Sequence, residues 1–335
     1  MTAWINLLKS DPIEWLLEKE NPSVRYYTLI DILERAKNDS TVKEAKNDIM
    51  MIGPVPKILA KQKEGGYWET PTNFYVSTKY KGTVWSLILL ADLYADKKNE
   101  KIKKACEFLL KYSQDRLSGG FAYKGTEKNG GDHDRILPCL TGNIVWSLIR
   151  FGYLDDPRIQ ESIDWIVKYQ RFDDAIERSP KGWPYEKREN CWGKHTCNMG
   201  IVKNLKALAE IPEKKRTEII KQTIKTGAEF MLKHHIFKRS HDINEVAKQE
   251  WLEFGFPLIW KIDSLEILDI LTKLGYKDNR MQEAIDLVLS KQNSKGRWIL
   301  EKSFNGRTQT NIERKGKESK WITLFALRVL KRYYS

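Results

Sequence analysis

Apolar residues recur along the chain at spacings of three and four, as at Val84, Leu87, Ile88 and Ala91 or at Ile201, Leu205, Leu208 and Ala209. That period predicts helix nearly throughout. Between the periodic stretches lie turn clusters with glycine, at Lys63-Glu64-Gly65-Gly66, Leu117-Ser118-Gly119-Gly120, Pro180-Lys181-Gly182 and Asn293-Ser294-Lys295-Gly296. The stretches themselves repeat, with helix starts near positions 22, 83, 139, 195, 262 and 321. Each unit reads as a strongly apolar helix, a short polar turn, an amphipathic helix and a glycine-containing loop. The clearest are 139–151 followed by 156–169, and 263–274 followed by 279–289. A helix apolar on all sides belongs inside and an amphipathic one outside. The first helix of each unit is therefore inner and the second outer.

The final unit lacks its second helix, because the sequence stops at Ser335, and the segment 3–18 reads as a spare helix at the other end. Pairing the two completes six hairpins and closes a ring, burying faces that an open array leaves exposed. The expected fold is an all-α (α/α)6 toroid forming one domain over residues 1–335, since no Pro/Gly/Ser-rich linker divides the chain.

Two of the glycine loops carry Q-x-x-x-G-x-W: Gln62, Gly66 and Trp68, then Gln292, Gly296 and Trp298. Looser versions follow Gln114 (Gly119-Gly120-Phe121) and Gln170 (Gly182-Trp183). These loops resemble the QW repeats of squalene-cyclase-like proteins, and the chain as a whole is similar to the terpene cyclase and protein prenyltransferase superfamily of α/α toroids. The resemblance implies that the glutamines satisfy backbone groups at helix ends and the tryptophans act as packing staples. It also implies a central cavity whose mouth, at the N-termini of the inner helices, is the place to look for chemistry.

The composition fits such a core, with 41% hydrophobic and 31% charged residues. No apolar run approaches the roughly 20 residues of a membrane-spanning helix. No leader pattern opens the sequence, and four scattered cysteines do not form a disulfide scaffold, so a cytoplasmic protein is expected. The net charge of +13 invites an anionic partner. Nucleic acid is a possible partner but not the favoured one, because the lysines are interleaved with glutamates as on solvated helix faces.

Three constellations bear on chemistry. The cyclases of the resembled superfamily use a D-x-D-D acid, which this chain lacks; its nearest approach is Asp132-His133-Asp134-Arg135. An arginine there lowers a neighbouring carboxylate's pKa and disfavours protonation-driven cyclisation. The prenyltransferases use zinc held through Asp-x-Cys and a later histidine. This chain has no Asp-x-Cys but does have Cys191, His195 and Cys197 near one inner-helix start and Cys139 at the preceding one. Cysteine and histidine suit Zn²⁺, which is the one cofactor the sequence suggests: four ligands would make a closed structural site and three would leave a catalytic position. The alternative is that the cysteines are small buried helix residues and His195 a hydrogen-bonded wall residue. His234 and His235, at the end of an outer helix, are placed away from the mouth.

The last constellation is basic. Arg307, Arg314 and Lys320 lead into the final inner helix, and Lys79 and Tyr80 precede another, which suits a diphosphate or other anion. The alternative is a solvated loop. The leading expectation is a cavity for an apolar, isoprenoid ligand with an anionic head group, with metal-assisted prenyl transfer as its chemistry. A carbohydrate-active hydrolase or lyase using Asp132, Asp134 and Asp263 is the first rival, although Asp263 also reads as a helix cap. A non-catalytic scaffold is the second.

Overall fold

A helix without a polar face is stable only in an interior. Thr83–Asp92 is such a helix, with every residue from Thr83 to Ala91 buried. In the computed structural model, which describes residues 3–75, 79–175 and 178–335, this helix and its equivalents form an inner ring. The chain opens with a 3-10 segment, Ala3–Leu7, and one helical turn, α1 (Ile13–Leu16). The first hairpin pairs α2 (Pro22–Tyr27, extended by a π-helical turn over Thr28–Ile32) with α3 (Ser40–Met51), and α4 (Pro54–Leu59) follows. The second pairs α5 (Thr83–Asp92) with α6 (Glu100–Tyr112), and the third α7 (Pro138–Arg150) with α8 (Pro157–Tyr169). After the single turn α9 (Glu189–Trp192), the fourth pairs α10 (Asn198–Glu210) with α11 (Glu218–Lys233). The fifth pairs α12 (Ser264–Lys273) with α13 (Gln282–Ser290), and α14 (Lys320–Tyr334) ends the chain.

Around the inner ring α5 packs on α7, α7 on α10, α10 on α12, α12 on α14 and α14 on α2. The hydroxyls of Ser23 and Tyr27 on α2 donate to the carbonyls of Leu93 and Asp92, at 2.7 and 3.3 Å, and close the circle. The protein is an all-helical α/α toroid. Among the described residues three two-stranded antiparallel ribbons, β1 (Gly125–Thr126) with β2 (Gly130–Gly131), β3 (Lys238–Arg239) with β4 (Asp242–Val246) and β5 (Trp298–Ile299) with β6 (Glu318–Ser319), lie in loops that enter inner helices. Among the described residues no helix is long and apolar enough to cross a membrane.

The glycine loops fasten each hairpin to the next by one repeated device. Gly66, Gly119 and Gly296 have φ of +85°, +80° and +70°, and a Cβ on each would lie 2.5, 2.8 and 1.9 Å from the carbonyl oxygens of Lys104, Glu161 and Ser10. Two residues on, the backbone N–H of Trp68, Phe121 and Trp298 donates to Thr83, Thr141 and Thr323 at 3.0–3.1 Å, tying the loop to the following inner helix. Gln62 and Gln114 reach the carbonyls of Lys101 and Arg158 in the next outer helix, whereas Gln292 accepts from the backbone N–H of Lys9. Ser10 and Lys9 thus stand where α6 and α8 supply their first turns.

The segment 3–18 is not the single helix expected from its apolar residues. It breaks at Asp11-Pro12, where proline has no N–H to donate and the Asp11 carboxylate instead accepts from Ile13 N–H at 2.8 Å. It still packs on the last unit: the Arg297 guanidinium lies 4.2 Å from the Trp15 ring centroid and Lys320 Nζ 2.6 Å from Glu18. This closure has a measurable cost when disturbed. Gly316, at φ +79° with open space around it, reports backbone strain alone, so Gly316→Ala should lose about 1–2 kcal/mol. Gly296→Ala, which also meets Ser10, should lose at least about 2 kcal/mol more in urea unfolding, and equal losses would show that the ring is not held together there.

Candidate functional site

Closing the ring leaves an axial cavity of about 300 Å³, at the lower end of the roughly 300–1,000 Å³ typical of small-molecule pockets. Its floor is the loop 255–259, in which Phe256 stacks on Trp321 at 4.2 Å and 15° and the Ile259 carbonyl accepts from Asn143 at 3.2 Å. From the floor the walls run to the C-terminal ends of the inner helices. Lys203, in the middle of α10, is 1% exposed, whereas Lys273 at the end of α12 is 39% exposed, so the cavity opens at that end. The N-terminal mouth, where chemistry was expected, is filled instead. Tyr80 is buried there between Trp85 and Phe304, its hydroxyl accepts from Trp260 Nε1 at 3.0 Å, and Gln309 donates to the Lys81 carbonyl at 2.7 Å.

The inner helices carry polar residues at helical spacing on the side facing this axis. Lys203, Lys206 and Glu210 on α10 and Glu266, Asp269 and Lys273 on α12 share the spacing i, i+3, i+7, and Trp321, Phe325, Arg328 and Arg332 form a matching stripe on α14. Lys203 Nζ lies 2.8 and 2.7 Å from the two Glu266 oxygens. Lys206 reaches Glu266 at 3.3 Å and Asp92 at 3.5 Å, and sits 3.9 Å from the Trp146 ring centroid. Arg150 meets Glu210 at 3.4 Å, the Ala91 carbonyl at 3.1 Å and the Tyr27 hydroxyl; Lys273 meets Glu210 at 2.6 Å. Arg328 pairs with Asp31 at 2.5 Å and Arg332 with Asp269 at 2.8 Å. Burial would push the Glu210 carboxyl up, but Arg150 and Lys273 outweigh it and hold it below the ordinary range. Charges at this depth persist only in pairs, since removing one partner of a buried pair costs about 3–5 kcal/mol.

Asp263 stands apart among these groups. It caps α12, accepting from the backbone N–H of Glu266 at 2.8 Å and of Gly255 at 2.9 Å, and so ties the floor loop to the wall. It is 1% exposed, and burial pushes its carboxyl up to about 7 against both backbone hydrogen bonds.

The other residues singled out in the sequence are placed elsewhere. Asp132 and Asp134 are outside the cavity and do not join Asp263: Asp132 caps a 3-10 turn through Asp134 N–H at 3.1 Å, and Asp134 pairs with Lys187 at 2.8 Å. Tyr80 and Arg307 do meet, with the guanidinium 4.8 Å from the ring centroid. Lys79 and Arg314 are exposed, and Lys320 is engaged by Glu18. Cys139, Cys191 and Cys197 are neighbours, and burial together with the adjacent thiols pushes Cys191 up to about 12 and raises Cys139 as well. His195 turns from them to Asp174, 3.5 Å away. Among the described residues no group of three or more His, Cys, Asp or Glu side chains is arranged to hold a metal ion, so these four do not fit zinc as they stand. His234 is not remote from His195 as expected: its Nε2 lies 3.7 Å from the same Asp174, because α11 runs antiparallel to α10 and ends where α10 begins.

No protein-family profile matches the chain, and no curated protein matches its sequence. Solved structures similar to it include a protein from Actinoplanes, at 12% identity, 94% of this chain, 90% of that one and a TM-score of 0.46. They also include a variant of the type II terpene cyclase MstE from Scytonema in complex with geranylgeranyl dihydroxybenzoate, at 14%, 94%, 87% and 0.45. A GH76 α-mannanase from Bacteroides thetaiotaomicron matches at 12%, 94%, 85% and 0.46. Likeness at this level does not transfer an activity or a ligand.

Most of the cavity wall is built from residues that no motif in the sequence marks. The signal was there: charged residues three, four and seven apart within helices otherwise apolar enough to be inner. Asp263 gives a direct test of the site's electrostatics. A carboxyl raised on folding keeps its proton in the folded state between its ordinary value of 3.8 and about 7, so its contribution to stability falls as pH rises through that window. Asp263→Asn, which cannot ionise, should therefore gain on the parent protein between about pH 4 and about pH 7 in urea unfolding and level off above. A difference independent of pH would show that Asp263 titrates normally.

Proposed function

We propose that the protein binds a small polyhydroxylated ligand, of the size of a mono- or disaccharide, through the C-terminal mouth of the toroid. The lining carries this reading. Six carboxylates and seven lysines or arginines alternate around the cavity with the rings of Tyr26, Tyr27, Trp146 and Phe325. A hydroxyl both donates and accepts, so a polyol can replace water on such a wall without leaving either sign of charge unsolvated. Aromatic faces suit the flat C–H faces of a sugar ring.

The isoprenoid reading ranks second. The aromatic wall supports it, and the cations at the rim suit a diphosphate head group. An apolar chain, however, would strip the remaining water from these ion pairs and return no hydrogen bonds in its place, an uncompensated desolvation. Metal-assisted prenyl transfer further needs a ligand set that Cys139, Cys191, His195 and Cys197 do not form as they are arranged.

Calorimetric titration with glucose, mannose, maltose and mannobiose, beside geranylgeranyl diphosphate, separates the two. Saturable saccharide binding that weakens at least about tenfold in Trp146→Ala and in the rim variant Arg332→Met is the expected result. Binding of the diphosphate alone, lost in the same variants, would replace this reading with the isoprenoid one. Binding of neither would overturn both.

A further inference from the structure

The opposite end of the toroid holds a cluster that the cavity does not use. The loop 113–137, which leads into α7, folds so that Ala122 pairs with Ile136 in a β-bridge, and Tyr123 N–H donates to the Arg135 carbonyl at 3.1 Å. This makes the side chains of Tyr123 and Arg135 neighbours, and Arg135 Nη1 donates to the Tyr123 hydroxyl at 2.8 Å. From the segment before α9, Arg188 Nη2 donates to the same hydroxyl at 2.5 Å and to the Asp134 carbonyl at 3.3 Å. The two guanidinium carbons lie 5.8 and 5.0 Å from the Tyr123 ring centroid.

Two full positive charges therefore share one neutral acceptor, and little negative charge is available to them. Asp132 is 3.7 Å from Arg135, and Asp134 is taken by Lys187 at 2.8 Å. Arg188 has no carboxylate within ion-pair distance among the described residues, and its Nε is buried without a hydrogen-bond partner. A buried donor left unpaired costs about 1–3 kcal/mol, and two guanidiniums at one point repel each other. Against burial, which raises it, Arg135 and Arg188 hold the Tyr123 phenol below the usual tyrosine range, the mark of a local excess of positive charge.

The cluster is also held in place. His133 stacks on Trp183 at 4.1 Å and 7°, its Nδ1 meets the buried Asp115 carboxylate at 2.8 Å, and Trp183 Nε1 donates to the His133 carbonyl at 3.0 Å. The turn 133–135 that carries Arg135 is thereby pinned from both sides. Tyr75, its ring 5.6 Å from that of Tyr123, covers the inner flank.

We propose that Arg135, Arg188 and Tyr123 form a binding site for an oxyanion, a carboxylate or a phosphate, at the N-terminal end of the toroid. The guanidinium forks supply charge-assisted N–H donors and the phenol an O–H donor, so one anion satisfies all three groups at once. The site is independent of the polyol reading of the cavity, which lies at the other end and uses other residues.

The test is titration of the full chain with sodium phosphate and with sodium acetate, against sodium chloride at matched ionic strength, followed by calorimetry and thermal unfolding. At least one of the two anions should bind saturably and raise the unfolding midpoint; which one does so separates phosphate from carboxylate. Arg188→Met should weaken binding at least about tenfold and, by removing an uncompensated charge, should not destabilise the anion-free protein. Arg188→Lys keeps the charge but lacks the fork and should bind measurably more weakly while remaining folded. Lys128→Met, which removes an exposed charge of the same sign from the loop 113–137, should change affinity by no more than about twofold. No saturable binding of either anion, or an equal loss in Lys128→Met and Arg188→Met, would overturn the proposal.

Discussion

Helices that are apolar on nearly every side have to find cover on every side, and in this protein that requirement shapes everything else. The buried face of α5 meets α7, that of α7 meets α10, and so on round to α2, whose hydroxyls return to the end of α5. An open row would leave its first and last inner helices facing water. Closure removes both ends, and the small price is a crowded joint at Gly296, where the backbone of Ser10 comes closer than any side chain would allow.

A closed ring of parallel helices creates an axis, and the axis is where polar residues of the inner helices can go. Lys203, Lys206, Glu210 and Glu266 do not interrupt the packing between helices because they point down the middle, where each finds a partner of opposite sign. The outcome is a cavity whose wall is ionic at depth, with its buried charges paired. Its floor is a loop rather than a helix, tied by Asp263 and by the stack of Phe256 on Trp321. The two ends of the toroid consequently differ in chemistry. One is an opening with paired charges, while the other is a plug of aromatic rings with the Tyr123, Arg135 and Arg188 cluster on its side.

The glutamine- and tryptophan-bearing loops that resemble squalene-cyclase-like repeats bear on the joints between hairpins, not on the cavity. Gln62, Trp68 and Trp298 occupy joints between helices, so the loops they mark do locate the repeat boundaries. They say nothing about what fills the middle. The same resemblance directed attention to the N-terminal mouth and to Cys191, His195 and Cys197. There the chain turns His195 towards Asp174, 3.5 Å away, and leaves Cys139, Cys191 and Cys197 half-buried.

The sequence by itself determined the paired helices, their division into inner and outer and their repeat length, and from these the toroid, but not the break in the segment 3–18. All of these follow from local periodicity and from which helices lack a polar face. Asp263 was legible too, because a helix cap is a local feature. Only the tertiary structure decided which charged residues meet. Lys203 and Glu266 are 63 residues apart, and Arg150 and Tyr27 123 residues apart. Nothing in either segment marks the other as its partner until the ring closes. The same holds for Arg188 and Tyr123, 65 residues apart, whose meeting depends on one loop folding across another. Spacing along a chain states which side of a helix a residue occupies, whereas pairing between helices depends on how the helices turn towards one another, and that is settled by packing in three dimensions.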